Sequence, residues 1–165
     1  MVPKCAALVA ALLMTSTAHA DTASTAFVPE VVFAGRSEGK GELRLLLRKP
    51  RAFTVESLGT MQADGRLRLE QTVRFDGKPV RTRAWVMWQT SPGHYAATIT
   101  GAAGPVVGRT EGSRLTLRYR LKRWGLVMHQ TLDLSEDGHT LANHGSIRYL
   151  GVPIGRLRET IRLLH

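Results

Sequence analysis

Cysteine is nearly missing from this 165-residue chain, with Cys5 its only representative. Cys5 lies inside an apolar N-terminal stretch, so a chain without that stretch has no thiol, and therefore no disulfide, thiolate nucleophile or thiolate metal site. Acidic residues are also scarce, 13 against 23 Lys and Arg, and the formal net charge is +10. A basic excess of this size draws anionic partners of many kinds. Aromatics are few, at 6%, and the arginines are spread along the chain with no aromatic-interleaved patch, which argues against nucleic acid as the partner.

Motifs that carry chemistry are missing as well. Beyond the N-terminal stretch the histidines are His94, His129, His139, His144 and His165, with no HxH or HExxH among them, and only His129 and His144 are placed to meet on paired strands. No GxSxG elbow offers a serine nucleophile. Gly101 to Gly108 is glycine-rich, but no helix with a lysine follows it to make a phosphate cradle. Glu70 and Glu159 are the only candidates for the paired acids of a hydrolase. The expectation is a non-catalytic protein with no catalytic residue, metal or cofactor.

What is present begins with an address label. Lys4 supplies a positive start, Cys5 to Met14 is apolar, and Ala18-His19-Ala20 is a small-x-small cleavage site. Ten or so apolar residues fall short of a bilayer core of roughly 30 Å. Residues 1–20 therefore read as a signal peptide cut before Asp21, and residues 21–165 as one domain, periplasmic or secreted. Cys5 sits at the wrong end of the segment to carry a lipid after cleavage.

Between turn signals the rest of the chain alternates apolar and polar residues with period two, the mark of half-buried strands. Strands are predicted near 41–48, 52–63, 66–75, 78–89, 94–101, 105–111, 113–122, 125–135, 139–149 and 155–164. An all-β antiparallel barrel of about eight to ten strands follows, with residues 21–40 as a short turn of helix or a lid before the first strand. Asp76-Gly77 fits a two-residue type I′ turn. That register sets Val73 opposite Val80 and Glu70 opposite Arg83, their Cβ atoms about 4.5 to 5.5 Å apart. Leu67, Leu69, Val73, Val80, Ala84, Val86 and Trp88 would then face inward, joined by Tyr95, Ala97 and Ile99, and Arg83, Trp85 and Met87 outward. Later, Leu115, Leu117, Tyr119 and Leu121 face in while Arg114, Thr116, Arg118 and Arg120 face out. Glu159 falls among the inward residues Leu157, Ile161 and Leu163, and is expected to point into a wet cavity or to lie at the barrel rim, with the rim preferred.

In order along the chain stand Phe33-Ala34-Gly35, Leu69-Glu70, Asp76-Gly77, Arg83-Ala84-Trp85, Tyr95, Gly104, Gly108 and Gly112. Tyr119-Arg120-Leu121, Leu141-Ala142-Asn143-His144 and Gly151-Val152-x-Ile154-Gly155 follow. Together these stretches resemble the bacterial domain of unknown function 3833, grouped with lipocalin-like (calycin) barrels. The resemblance implies that fold and no particular activity. The chain departs from the family pattern at Gly101, where an Asp is usual, at Gly112-Ser113 in place of Gly-Asn, and near Val127-Met128, where an Asp-Trp-Met run is lost. It also lacks the lipidation cysteine frequent among members.

Two functions fit these readings. One is an exported barrel holding a small apolar or amphipathic, lipid-like molecule, with Glu70, Arg83, Trp85, Trp88, Tyr95, Tyr119 and Asn143 as candidate ligand contacts. The other is a filled barrel whose basic exterior docks on an anionic membrane or envelope polymer. An unfilled interior of several hundred Å³ separates the first from the second.

Overall fold

The structure is a computed structural model and describes residues 26–164. The expected signal peptide, residues 1–20, and its expected cleavage site lie outside the described residues.

A one-turn helix, α1 (Pro29–Val32), leads into ten strands: β1 (Gly35–Leu45), β2 (Arg51–Met61), β3 (Leu67–Phe75), β4 (Arg81–Ser91), β5 (His94–Ile99), β6 (Val106–Glu111), β7 (Arg114–Lys122), β8 (Leu126–Leu134), β9 (Thr140–Tyr149) and β10 (Val152–Leu164). Each strand pairs antiparallel with its sequence neighbours, and β1 pairs with β10 from Arg36↔Leu164 to Leu45↔Gly155, closing the ladder into a ten-stranded antiparallel barrel. Closure leaves no edge strand. The all-β barrel expected from the alternation is what forms. In β7, for example, Leu115, Leu117 and Tyr119 are buried while Arg114, Thr116, Arg118 and Arg120 are on the surface or near it.

The β3–β4 hairpin differs from its predicted register by one residue. The Lys78 N–H does donate to the Phe75 carbonyl at 3.1 Å, but only Gly77 has positive φ, whereas a type I′ turn also needs it at Asp76. Pairing starts at Val73↔Arg81 and runs on through Gln71↔Arg83 and Glu70↔Ala84. Pro79 locks φ near −65°, far from the roughly −140° of an antiparallel ladder, so the connection extends to five residues, 76–80. A one-residue slip turns every side chain to the other face. Trp85 and Met87 are therefore buried, and Val80, Ala84, Val86 and Trp88 lie on the outside.

The barrel has two unlike ends. At the end bearing the β6–β7 turn, residues 26–34 form a plug. Pro29 at the first helical position and Glu30 in the first turn suit a helix start, and Phe27, Pro29, Val32 and Phe33 are buried. The Phe27 N–H donates to Gly112 O at 2.8 Å, and Phe27 meets Phe33 edge-on with ring centroids 5.7 Å apart. The Phe33 carbonyl rests on Gly59 of β2, where a Cβ would collide with it.

Candidate functional site

The interior is apolar at both ends and polar across its middle. In phase with the apolar positions of their strands, β8 turns Gln130 inward between Met128 and Leu132, β9 turns Asn143 inward, and β10 turns Glu159 inward. All three are buried. Tyr119 Oη donates to Gln130 Oε1 (2.9 Å), Gln130 Nε2 to Asn143 Oδ1 (3.2 Å), and Asn143 Nδ2 to Glu159 Oε2 (2.8 Å). The chain of donors has one direction because it ends on a carboxylate, which only accepts when ionised.

Glu159 is thus at mid-barrel, not at the rim. Room for it comes from β1, where Gly41 faces it across the ladder and Gly39 lies diagonally beside it. A methyl group at Gly39 would overlap Glu159 Oε1. Burial pushes the Glu159 carboxyl above its ordinary range, opposed by the Asn143 hydrogen bond and the Arg83 charge. Burial likewise pushes the Tyr119 hydroxyl up to about 12, again opposed by Arg83.

A second set of polar side chains comes from β2, β3 and β4. Arg83 Nε and Trp85 Nε1 both donate to Gln71 Oε1, at 2.7 and 2.9 Å, and Gln71 Nε2 donates to Ser57 Oγ at 3.1 Å. The Trp85 and Tyr119 rings meet edge to face, centroids 5.5 Å apart, and join the two sets. Among the described residues neither Nη of Arg83 has a hydrogen-bond partner. Between the sets is a void of about 50 Å³, bordered by Arg83, Gln130, Asn143 and Glu159 on its polar side and by Phe33 and Leu132 among the apolar ones. That volume holds a few waters or a carboxylate-sized group. It is well short of the several hundred Å³ of a preformed ligand cavity.

Of the residues singled out by sequence, Arg83, Trp85, Tyr119 and Asn143 come together here. Tyr95 is also buried but faces the plug, its Oη donating to Glu30 Oε2 at 3.4 Å. Glu70 and Trp88 do not join them. Glu70 points outward and pairs with Arg68 (2.9 Å), not with Arg83, and Trp88 lies outside under the Arg66 guanidinium, 4.8 Å from its ring centroid. Because both members of the Arg68–Glu70 pair are exposed, Glu70→Gln is expected to change stability by less than about 1 kcal/mol in urea unfolding. A larger loss would show that the outer face of β3 has a structural role.

His129 and His144 also face outward, on neighbouring strands. Burial and the charges of Arg118 and Arg148 hold the His129 pKa below its ordinary value, and no group of three metal-ligating side chains occurs among the described residues. Gln71, Ser57 and Gln130 were missed by sequence reasoning. Their signal was phase: each is a polar residue at an inward position of an alternating strand.

Comparison with known proteins fits this architecture. A family model described as "Protein of unknown function (DUF3833)" matches residues 6–162. No curated protein matches. Among solved structures, an S-type phycobiliprotein lyase, CPES, from Guillardia theta superposes with a TM-score of 0.66 at 7% identity, over 82% of this chain and 90% of the lyase. A protein of unknown function from the DUF3598 family of Nostoc punctiforme superposes with a TM-score of 0.58 at 12% identity, over 89% of this chain and 53% of that one. At such identities the likeness concerns the fold.

Proposed function

The chain belongs to the DUF3833 family, and from that premise we propose a non-catalytic carrier or sensor whose barrel binds one small amphipathic, lipid-like molecule by its acidic end. The observation that carries this reading is Arg83, a guanidinium on the wall of an apolar barrel with both Nη groups unpartnered among the described residues and directed by Nε onto Gln71. Guanidinium forks suit carboxylate and phosphate groups. Tyr119 supports this site from behind, its Oη donating to Gln130, which borders the void. The void admits only the polar end; in this reading the apolar tail takes the place of the plug, whose Phe33 already borders the void. An open cleft of about 600 Å³ on the other side of Gln71 and Arg83 is the second place that could take it. The apolar stretch and the small-x-small site Ala18-His19-Ala20 support an exported carrier, cut before Asp21 and periplasmic or secreted, as part of this proposal.

Titrating the protein with dodecanoate by calorimetry tests the reading. An ionised carboxylate entering beside Glu159 is repelled when Glu159 is charged and accepted when it is protonated. Affinity is therefore expected to fall as pH rises through the raised pKa of Glu159. Glu159→Gln should remove that dependence, and Arg83→Met should weaken binding about tenfold or more. Absence of binding by dodecanoate and by phospholipids, together with an apo mass in native mass spectrometry, overturns the proposal.

A further inference from the structure

The end of the barrel opposite the plug is built unlike the rest of the surface. There the β1–β2, β7–β8 and β9–β10 connections sit side by side, tied by Leu46 N–H to Ile154 O (2.8 Å) and Leu150 N–H to Gly125 O (3.2 Å). At their tips stand Leu47, Trp124 and Leu150, which are 96%, 83% and 72% exposed, with Leu46 and Val152 beside them. The same three segments, 45–51, 121–126 and 148–154, carry Arg48, Lys49, Arg51, Lys122, Arg123 and Arg148 and no acidic residue. The plug end differs: its strand connections include Asp64, Glu136 and Asp137, and its exposed apolar side chains include the smaller Val28 and Val31 of the plug. At the opposite end Asp76 lies apart from the three segments, in the β3–β4 connection.

A second, independent feature marks the same tips. Leu47 (φ 60°) and Leu150 (φ 48°) are the only non-glycine residues with positive φ among those described. Leu150-Gly151 is a two-residue hairpin with both residues at positive φ, as a type I′ turn needs. Asn or Gly fills the first position cheaply; leucine is strained there. Leu150 lies over Gly125 of the neighbouring connection, yet both strained leucines keep most of their apolar surface in solvent and add nothing to the core.

We propose that this end is a membrane-docking surface for a bilayer with anionic headgroups, into which Leu47, Trp124 and Leu150 insert while the surrounding Lys and Arg contact the headgroups. Apolar tips ringed by long basic side chains match the interface in depth order, tail region within and phosphate level around it. The inference uses loops remote from the interior site and stands whether or not the barrel holds a ligand.

Sedimentation of the full chain with vesicles of phosphatidylcholine plus phosphatidylglycerol, and with vesicles of phosphatidylcholine alone, is the test. Binding is expected to the first and little to the second, and to weaken at about 1 M salt, where screening reaches about 3 Å. Lys122→Gln with Arg123→Gln should lower the partition about fivefold per charge. Leu47→Gly with Leu150→Gly should lower it about tenfold and at the same time raise the melting temperature, because the strain is relieved. That opposition separates docking from a structural role, since a residue needed for the fold would lose stability. If the wild type fails to bind phosphatidylglycerol vesicles, or if these variants bind as it does, the proposal is overturned; in the second case the general basic exterior or the N-terminal apolar stretch is responsible.

Discussion

Replacing Asn143 with leucine is expected to destabilise the barrel by about 3 to 5 kcal/mol near pH 8, and by much less near pH 4, where Glu159 is protonated. Asn143 Nδ2 is the donor that meets the Glu159 carboxylate, and its Oδ1 receives Gln130 Nε2. Leucine fills similar space and satisfies neither. At high pH it leaves an ionised carboxylate buried without its hydrogen bond; at low pH the group is neutral and the penalty shrinks. The parent has a related dependence. Because the folded state raises the Glu159 pKa, the native protein holds the proton more tightly than the unfolded chain. The stability this contributes is fully present below the unfolded pKa and is lost as pH rises through the folded one. Glu159→Gln, which keeps an acceptor for Asn143, should flatten that slope and exceed the parent in stability at high pH. Urea unfolding of all three proteins across the pH range checks this. A loss in Asn143→Leu that is the same at every pH would mean that packing alone is at stake and that Glu159 is not buried as an ion.

Gly59→Ala is expected to eject the plug. The added methyl meets the Phe33 carbonyl, a backbone atom that no side-chain rotation can move aside. Either β2 shifts, against ladders on both sides, or residues 26–34 lift away. The plug is the weaker of the two, since it lies outside the sheet ladder and is held by the Phe27–Gly112 hydrogen bond, the long Tyr95–Glu30 contact and the burial of Phe27, Pro29, Val32 and Phe33, not by a ladder on either side. The cost should be about 2 to 3 kcal/mol, roughly 5 to 10 °C in Tm for a domain of this size. If the plug fills the space meant for a ligand tail, the same variant should take up dodecanoate more tightly although it melts lower. Lower stability with unchanged uptake would leave the plug as an ordinary part of the core.

The fold was legible because most strands have one apolar face: in β7 only the phase of Leu115, Leu117 and Tyr119 can point inward. In β4 both phases are apolar, with Trp85 and Met87 on one side and Ala84, Val86 and Trp88 on the other, so alternation could not choose between them. The choice fell to the preceding turn, where Asp76-Gly77 looked sufficient and Pro79 lengthened the loop. The error carried Glu70 and Trp88 into the candidate site and aimed Arg83 and Trp85 outward. The type I′ geometry sought at Asp76-Gly77 is met at Leu150-Gly151, which local preference does not single out because leucine is a poor residue there. The buried polar belt was half visible. Glu159 stood out as a charge in an apolar phase and Asn143 through the family resemblance, whereas Gln71 and Gln130 joined them only once the ladder had brought distant strands around them.

The seam of the barrel sets a condition on how the molecule is made. β1 and β10 are neighbours in space from Arg36↔Leu164 to Leu45↔Gly155, yet they lie at opposite ends of the described sequence. Every other ladder is a local hairpin that can form as soon as its two strands exist. The seam is the single pairing of high contact order, and such pairings form late and slowly. Until β10 arrives, β1 and β9 are both unpaired edges, and the Glu159 acceptor on which Asn143 depends is missing. A chain stopped short of Val152 is therefore not a nine-strand barrel but an open curved sheet with two edges free to pair with other chains. The strand synthesised last of the ten is the one that protects the other nine from aggregation.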